Sequence, residues 1–250
     1  MVRTVKIFAV AFLCLTGALA SRVAHAGTFT TGTFATAADL GLNSNAGIIQ
    51  AVNVGPADSS AGTNSPTVGA VTFAADTTGI FASLGVNDFG GDWSNQNFGD
   101  AAMNTLMGSF YYAVPPNAMS YTITGLTSGT SYELQLLTYD GDGGNAVGPT
   151  YRGPSTITAG SDSLSYNYAA TMFAGTGSNW LTDHGTFVDY TFTGPMSGQL
   201  AVSMTPATGS IVFSAFDVRA LPTPEPSSCI LFGLGALGLI AAARRRRRSA

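Results

Sequence analysis

The sequence predicts an all-β fold, a β-sandwich of the jelly-roll type with one short amphipathic helix. Short runs of alternating apolar and polar residues, rich in Thr, Val, Tyr and Phe, are separated by Gly, Pro, Asn and Asp, which is the punctuation of strands joined by turns. The acidic residues are almost all Asp and the one lysine is Lys6, so the Glu/Lys pairs that support long exposed helices are missing. Aspartate, which bonds its own backbone, suits turns instead. Residues 27–221 are long enough to bury a sizeable core and read as a single domain without linkers or internal repeats.

The elements follow in order. Arg3 and Lys6 precede the apolar run from Ile7 to Leu15, and Ala24-His25-Ala26 places small residues at the −3 and −1 positions of a signal-peptidase site. Residues 1–26 therefore read as a secretory signal peptide, with the mature chain beginning at Gly27. Candidate strands lie at 48–54, 68–74, 119–124, 132–139, 155–158, 164–168, 187–193, 199–204 and 211–219. Period-two alternation puts Tyr132, Leu134 and Leu136 on one face of their strand. Val188, Tyr190 and Phe192 share a face in another strand, and Leu200, Val202 and Met204 in a third. One segment breaks this pattern. After Asp100, a candidate N-cap, Met103, Leu106, Met107, Phe110 and Tyr111 fall at i, i+3, i+4, i+7 and i+8, the apolar stripe of a helix packed on the core. Pro115-Pro116 ends it before the next strand.

Charge and cysteine usage exclude several functions. Cys14 lies in the signal peptide and Cys229 near the carboxyl end, so residues 27–221 hold no disulfide, thiolate metal site or cysteine nucleophile. The formal net charge of −4 hides a strong asymmetry. Between residues 27 and 226, all 14 acids face only Arg152 and Arg219, a surplus of twelve negative charges. Such a domain has no basic footprint for nucleic acid or for anionic lipid, and it repels polyanions.

The carboxyl end, residues 222–250, has three parts: Pro224-Glu225-Pro226, an apolar stretch over 229–243, and the arginine run Arg244, Arg245, Arg246, Arg247 and Arg248. As a helix the 15-residue stretch covers ~22 Å of a ~30 Å hydrocarbon core, so it lodges in a membrane marginally. Arginines beside an apolar helix stay cytoplasmic, which places the preceding chain outside. This tail closely resembles the PEP-CTERM sorting signal of exported bacterial proteins. The resemblance implies recognition and processing by an exosortase-type enzyme at Pro-Glu-Pro, transient anchoring in the inner membrane, and delivery to the cell surface or extracellular matrix.

A second resemblance concerns the fold. Asn97-Phe98-Gly99-Asp100, the run from Tyr121 to Asp140 with its Gly125-Leu126-Thr127-x-Gly129-x-x-Tyr132 turn, and the closing Phe216-Asp217-Val218-Arg219-Ala220-Leu221 are similar to secreted bacterial domains with a galactose-binding-like jelly roll. The same turn also occurs in fibronectin-like sandwiches, so the resemblance speaks to fold rather than ligand.

Little in the domain reads as catalytic. His184 is its one histidine, and neighbours on an extended chain point to opposite faces, so Asp183 is poorly placed to orient it. No Gly-x-Ser-x-Gly elbow is present, and one histidine does not build a zinc site. Gly233-x-Gly235-x-x-Gly238 lies in the apolar tail without a preceding strand and is not a nucleotide site. Asp140-Gly141-Asp142-Gly143-Gly144-Asn145 alternates oxygen-bearing side chains with glycine, as a calcium loop does, and residues 88–95 are a second oxygen-rich stretch. Asp140, Asp142 and Asn145 are equally what a hairpin turn uses. Trp93 and Trp180 both sit in Gly/Asn-rich stretches, where they either stack on sugar faces or plug the end of the core.

The expectation is a non-enzymatic surface or matrix protein that binds polysaccharide or is structural. The competing class is a secreted polysaccharide-active hydrolase using an Asp pair. A carboxyl pair in a cleft with one desolvated member would favour the hydrolase, and loop aromatics on a flat face would favour binding.

Overall fold

The computed structural model describes residues 27–55, 63–76, 96–140, 153–167 and 183–222. It is the expected sandwich. One sheet joins, in spatial order, β1 (Thr28–Phe34), β11 (Gly185–Thr193), β8 (Ser131–Thr138), β14 (Ala215–Ala220), β2 (Ile48–Asn53) and β5 (Ala74–Ala75). The other joins β10 (Asp162–Tyr166), β9 (Ser155–Ala159), β12 (Leu200–Pro206) and β7 (Met119–Ile123). Two short ribbons complete the fold, β3 (Thr67–Val68) with β4 (Val71–Thr72) and β6 (Tyr111–Ala113) with β13 (Ile211–Phe213). The helix α1 spans Ala101–Met107. Pairing is antiparallel except between β2 and β5.

The main core lies between the two sheets. The six-stranded sheet contributes Leu134, Leu136, Val188, Tyr190, Phe216 and Val218, and the four-stranded sheet contributes Tyr121, Ile123, Ile157, Val202 and Met204. Tyr121 meets Phe216 with ring centroids 4.7 Å apart. The alternation read in β8, β11 and β12 therefore faces this core as expected. A second core lies on the outer side of the six-stranded sheet, where Leu137, Tyr139 and Ala215 pack under Met103, Leu106 and Met107 of α1 together with Leu40, Leu42 and Phe73. β8 is thus buried on both faces, which is why Leu136-Leu137 sits in its middle. Full burial of such a leucine stabilises by about 1.5–3 kcal/mol.

Local chemistry explains the element ends. Asp100 accepts from Ala102 N–H at 2.7 Å and Met103 N–H at 3.0 Å, the N-cap that the sequence predicts. The helix is shorter than expected. It ends at Met107, Gly108 caps it through a bond to the Thr105 carbonyl, and Phe110 and Tyr111 belong to the strand side of the break. Both are buried, so they fit a helical stripe by burial, while Tyr111 pairs with Phe213 of β13. The run at 68–74 also divides, because Gly69 (φ 60°) turns the chain between β3 and β4. The run at 211–219 divides at Ser214, whose backbone N–H donates to the Leu137 carbonyl and whose hydroxyl accepts from Tyr139 N–H. β1, with sequence TFTTGTF, is a strand that sequence patterning missed. In the Gly-Leu-Thr-x-Gly-x-x-Tyr turn, Gly129 takes φ 78°, and the Tyr132 hydroxyl folds back to accept from Thr127 N–H at 2.9 Å.

Candidate functional site

Each sheet turns one face away from the main core, and the two faces differ in chemistry. On the six-stranded sheet the register aligns Asp189 of β11, Gln135 of β8 and Asp217 of β14 in one row, with Glu133 and Arg219 paired in the next. Gln135 donates to Asp189 at 2.9 Å and accepts from Arg219 at 3.2 Å. Arg219 directs both Nε (2.9 Å) and Nη2 (2.7 Å) at the same Asp217 oxygen, lies 3.5 Å from Glu133, and donates to the Leu40 carbonyl above the sheet. Asp217 is fully buried, and its second oxygen is unpartnered.

Asp217 and Asp189 are drawn out of water around a single guanidinium, so neither ionises freely. Burial, assisted by Glu133 and Asp189, outweighs the pull of Arg219 and pushes Asp217 up to about 7. Burial likewise lifts Asp189 to about 6, against the opposing bond from Gln135. These are the desolvated acids that the hydrolase reading requires. Asp217 is fully buried beside Arg219, whose guanidinium also reaches the Leu40 carbonyl, whereas Asp189 is half-buried.

The outer face of the four-stranded sheet carries hydroxyls instead. Thr158, Ser203 and Ser120 form one row across β9, β12 and β7, and Thr122 stands opposite Ala201 in the next. These residues, with Gly160, line a shallow groove of about 300 Å³. No carboxylate, imidazole or cation is among its lining side chains. The Tyr121 ring faces the main core against Phe216 instead, where burial and then Asp217 drive its phenol well above its ordinary range.

Among the sequence candidates, Asp140 is fully buried at the end of β8. Asp142, Asn145, Trp93 and Trp180 lie outside the described residues, as do residues 1–26, Pro224-Glu225-Pro226, the apolar stretch 229–243 and the arginine run. Asp183 and His184 correct an expectation: His184 Nδ1 and Asp183 Oδ1 are 2.6 Å apart. The pair precedes β11 in a turn, where strand alternation does not apply, and the bond holds Asp183 below the usual carboxylate range. Asp183 is exposed and His184 is half-buried. Among the described residues, no group of three or more His, Cys, Asp and Glu could hold a metal, and no helix is long and apolar enough to cross a membrane.

The acid–arginine cluster was missed in the sequence because its members are the polar half of cleanly alternating strands, a position normally read as solvent. The signal that could have found it is Arg219, one of two arginines between residues 27 and 226 and placed two residues from Asp217.

Residues 222–248 match the PEP-CTERM protein-sorting motif. The chain therefore carries the sorting tail that its sequence suggests, the target of exosortase processing, and is an exported protein. No curated protein matches the chain. Among solved structures it is similar to the complex of plant peptide RALF23 with FER and LLG2 (TM-score 0.48, 12% identity, 71% of this chain and 50% of that one). It is also similar to the ANXUR1 extracellular domain from Arabidopsis thaliana (0.46, 14%, 70% and 49%) and to Bacteroides uniformis beta-glucuronidase 2 (0.40, 15%, 69% and 18%). The chain spans half or less of the length of these structures.

Proposed function

We propose that this chain is a non-catalytic cell-surface or extracellular-matrix protein whose sandwich binds neutral polysaccharide along the four-stranded sheet. The observation that carries this reading is the groove lined by Ser120, Thr122, Thr158 and Ser203. Its hydroxyls can exchange hydrogen bonds with sugar hydroxyls, while the groove offers no carboxylate to serve as acid or base. The surplus of acids over arginines favours a neutral glycan over an acidic one. Trp93 and Trp180 would add stacking surfaces. In this reading the 229–243 segment holds the protein in the inner membrane until the exosortase acts at Pro224-Glu225-Pro226. Neutralising Arg244 to Arg248 should then missort the chain, by loss of the positive-inside contribution.

The deciding experiment is a glycan-array screen of the exported protein, with and without calcium, beside its Ser203→Arg variant. Retention of neutral glycans by the parent and loss in Ser203→Arg supports groove binding. Equal retention by both moves the site elsewhere, and no retention leaves a structural role. Calcium held by Asp140, Asp142 and Asn145 would raise the melting temperature, and Asp142→Asn would remove that response.

The desolvated Asp189 and Asp217 favour the hydrolase as a second reading. Release of reducing ends from a polysaccharide, abolished by Asp189→Asn, would establish it in place of the first.

A further inference from the structure

Residue 27 sits at a seam of the sandwich. β1 is an outermost strand of the six-stranded sheet and β10 an outermost strand of the four-stranded sheet. The backbone N–H of Gly27, one residue before β1, donates to Oδ2 of Asp162, the first residue of β10, at 2.6 Å. The Tyr190 hydroxyl, from β11 next to β1, donates to the same oxygen at 2.6 Å. A β-carbon at position 27 would run into the Tyr190 ring, so glycine alone lets the backbone come this close. The same ring packs on Phe29, with centroids 4.5 Å apart. One carboxylate oxygen thus ties the two sheets together at the point where the mature chain is expected to begin.

In the precursor the Gly27 nitrogen is a neutral amide. Hydrolysis of the Ala26–Gly27 bond by signal peptidase places the hydroxyl of water on the Ala26 carbonyl carbon and leaves the Gly27 nitrogen as an amine. An ordinary α-amine is protonated below about pH 8, so the nitrogen then carries a positive charge. An amide donating to a carboxylate is already a charge-assisted bond, and what an ammonium adds is the attraction between opposite charges, which partial burial shields from salt.

We propose that removal of the signal peptide after Ala26 creates an ion pair between the α-ammonium of Gly27 and Asp162, which locks β1 onto the sandwich and brings the domain to full stability only after processing. The proposal does not depend on the glycan reading. Among the described residues, the charged and titratable groups that bond at the new terminus are Asp162 from β10 and Tyr190 from β11. Burial and Asp162 push the Tyr190 phenol up, so it stays neutral and donates while the ammonium carries the charge.

Four exported, processed proteins test this: the unaltered chain, Asp162→Asn, a chain with one serine inserted between Ala26 and Gly27, and the two changes combined. The insertion leaves Gly27 N an amide and moves the ammonium along the chain by up to ~3.8 Å. The unaltered protein should begin at Gly27 on amino-terminal sequencing and melt about 3 °C or more above the inserted chain. Asp162→Asn should lower the melting temperature, and the insertion should cost almost nothing further in that background. Because Asp162→Asn also weakens the bond from Tyr190, the α-amine is titrated directly by the pH dependence of its acylation. Its pKa should lie above the ordinary range of about 7.7–8.0 in the unaltered protein and return to it in the inserted chain. A different first residue, equal melting of the unaltered and inserted chains, additive losses, or an unshifted α-amine would each overturn the proposal.

Discussion

Gln135 and Ser203 occupy corresponding places, each on an interior strand of its sheet and each on the face turned away from the main core. Gln135 is 3% exposed and bonded to Asp189 and Arg219, whereas Ser203 stays partly open in a groove of hydroxyls. The difference comes from what lies above them. The six-stranded sheet is covered by α1 and by the segment around Leu40 and Leu42, so its outward polar residues must satisfy one another. The four-stranded sheet carries small neutral side chains that solvent or a ligand can satisfy. Polar alternation in a strand therefore marks the side away from the main core without saying whether that side is wet.

Substitutions distinguish the two faces, and the largest effect is expected in the core that the two sheets share. Leu136→Asp places a carboxylate between them at a residue 3% exposed and should unfold the domain. Burying it costs several kcal/mol against a total of roughly 5–15 kcal/mol. A circular dichroism melt like the parent's would show that Leu136 does not face the core. On the covered face, Arg219→Met leaves Asp217 without its cation, and breaking such a buried pair costs about 3–5 kcal/mol in chemical denaturation. A loss below about 1 kcal/mol would mean that this face is wetter than its geometry implies.

The covered face should also make stability fall as pH rises. Asp217 at about 7 and Asp189 at about 6 both lie above the ordinary carboxylate value of 3.8, so the folded state holds protons that the unfolded chain has released. The contribution is complete below pH 3.8 and disappears as pH passes through 6 and 7. Melting temperature should therefore drop between pH 5 and pH 8, and Asp217→Asn should flatten most of that slope. A rise over the same interval would contradict the burial of these acids. Weakening the roof is milder: Asp100→Ala removes the bonds to Ala102 and Met103 and should cost about 1 kcal/mol. On the open face, Ser203→Arg should change stability by less than about 0.5 kcal/mol. A larger loss would mean that something covers the hydroxyl groove.

Much of this was legible residue by residue. Tyr132, Leu134 and Leu136 showed the core face of β8, and Asp100 showed the start of α1, because period and capping are local properties. The end of α1 was not legible: Phe110 and Tyr111 satisfy a helical stripe, but the helix stops at Met107 and Tyr111 pairs with Phe213 of β13, about a hundred residues later. β1 escaped notice for a similar reason. Its threonines and glycine carry little apolar pattern, and its place is set by the ladder with β11. The Asp183–His184 bond forms because the pair sits in a turn, where the opposite-face rule of an extended chain does not hold.

By itself, the sequence determined the features written in contiguous residues. These are the PEP-CTERM tail over 222–248, the cysteine-free acidic domain and the alternation that builds a sandwich. Tertiary structure decided which polar residues meet. Asp189, Gln135 and Asp217 become neighbours through cross-strand register, and Gln135 and Asp217 lose water because α1 and the Leu40 segment pack on that side of the sheet. Gly27 and Asp162 lie 135 residues apart in the chain and meet only where the two sheets come together. The physical reason is that alternation reports one buried side per strand, whereas register and coverage depend on segments distant in the chain.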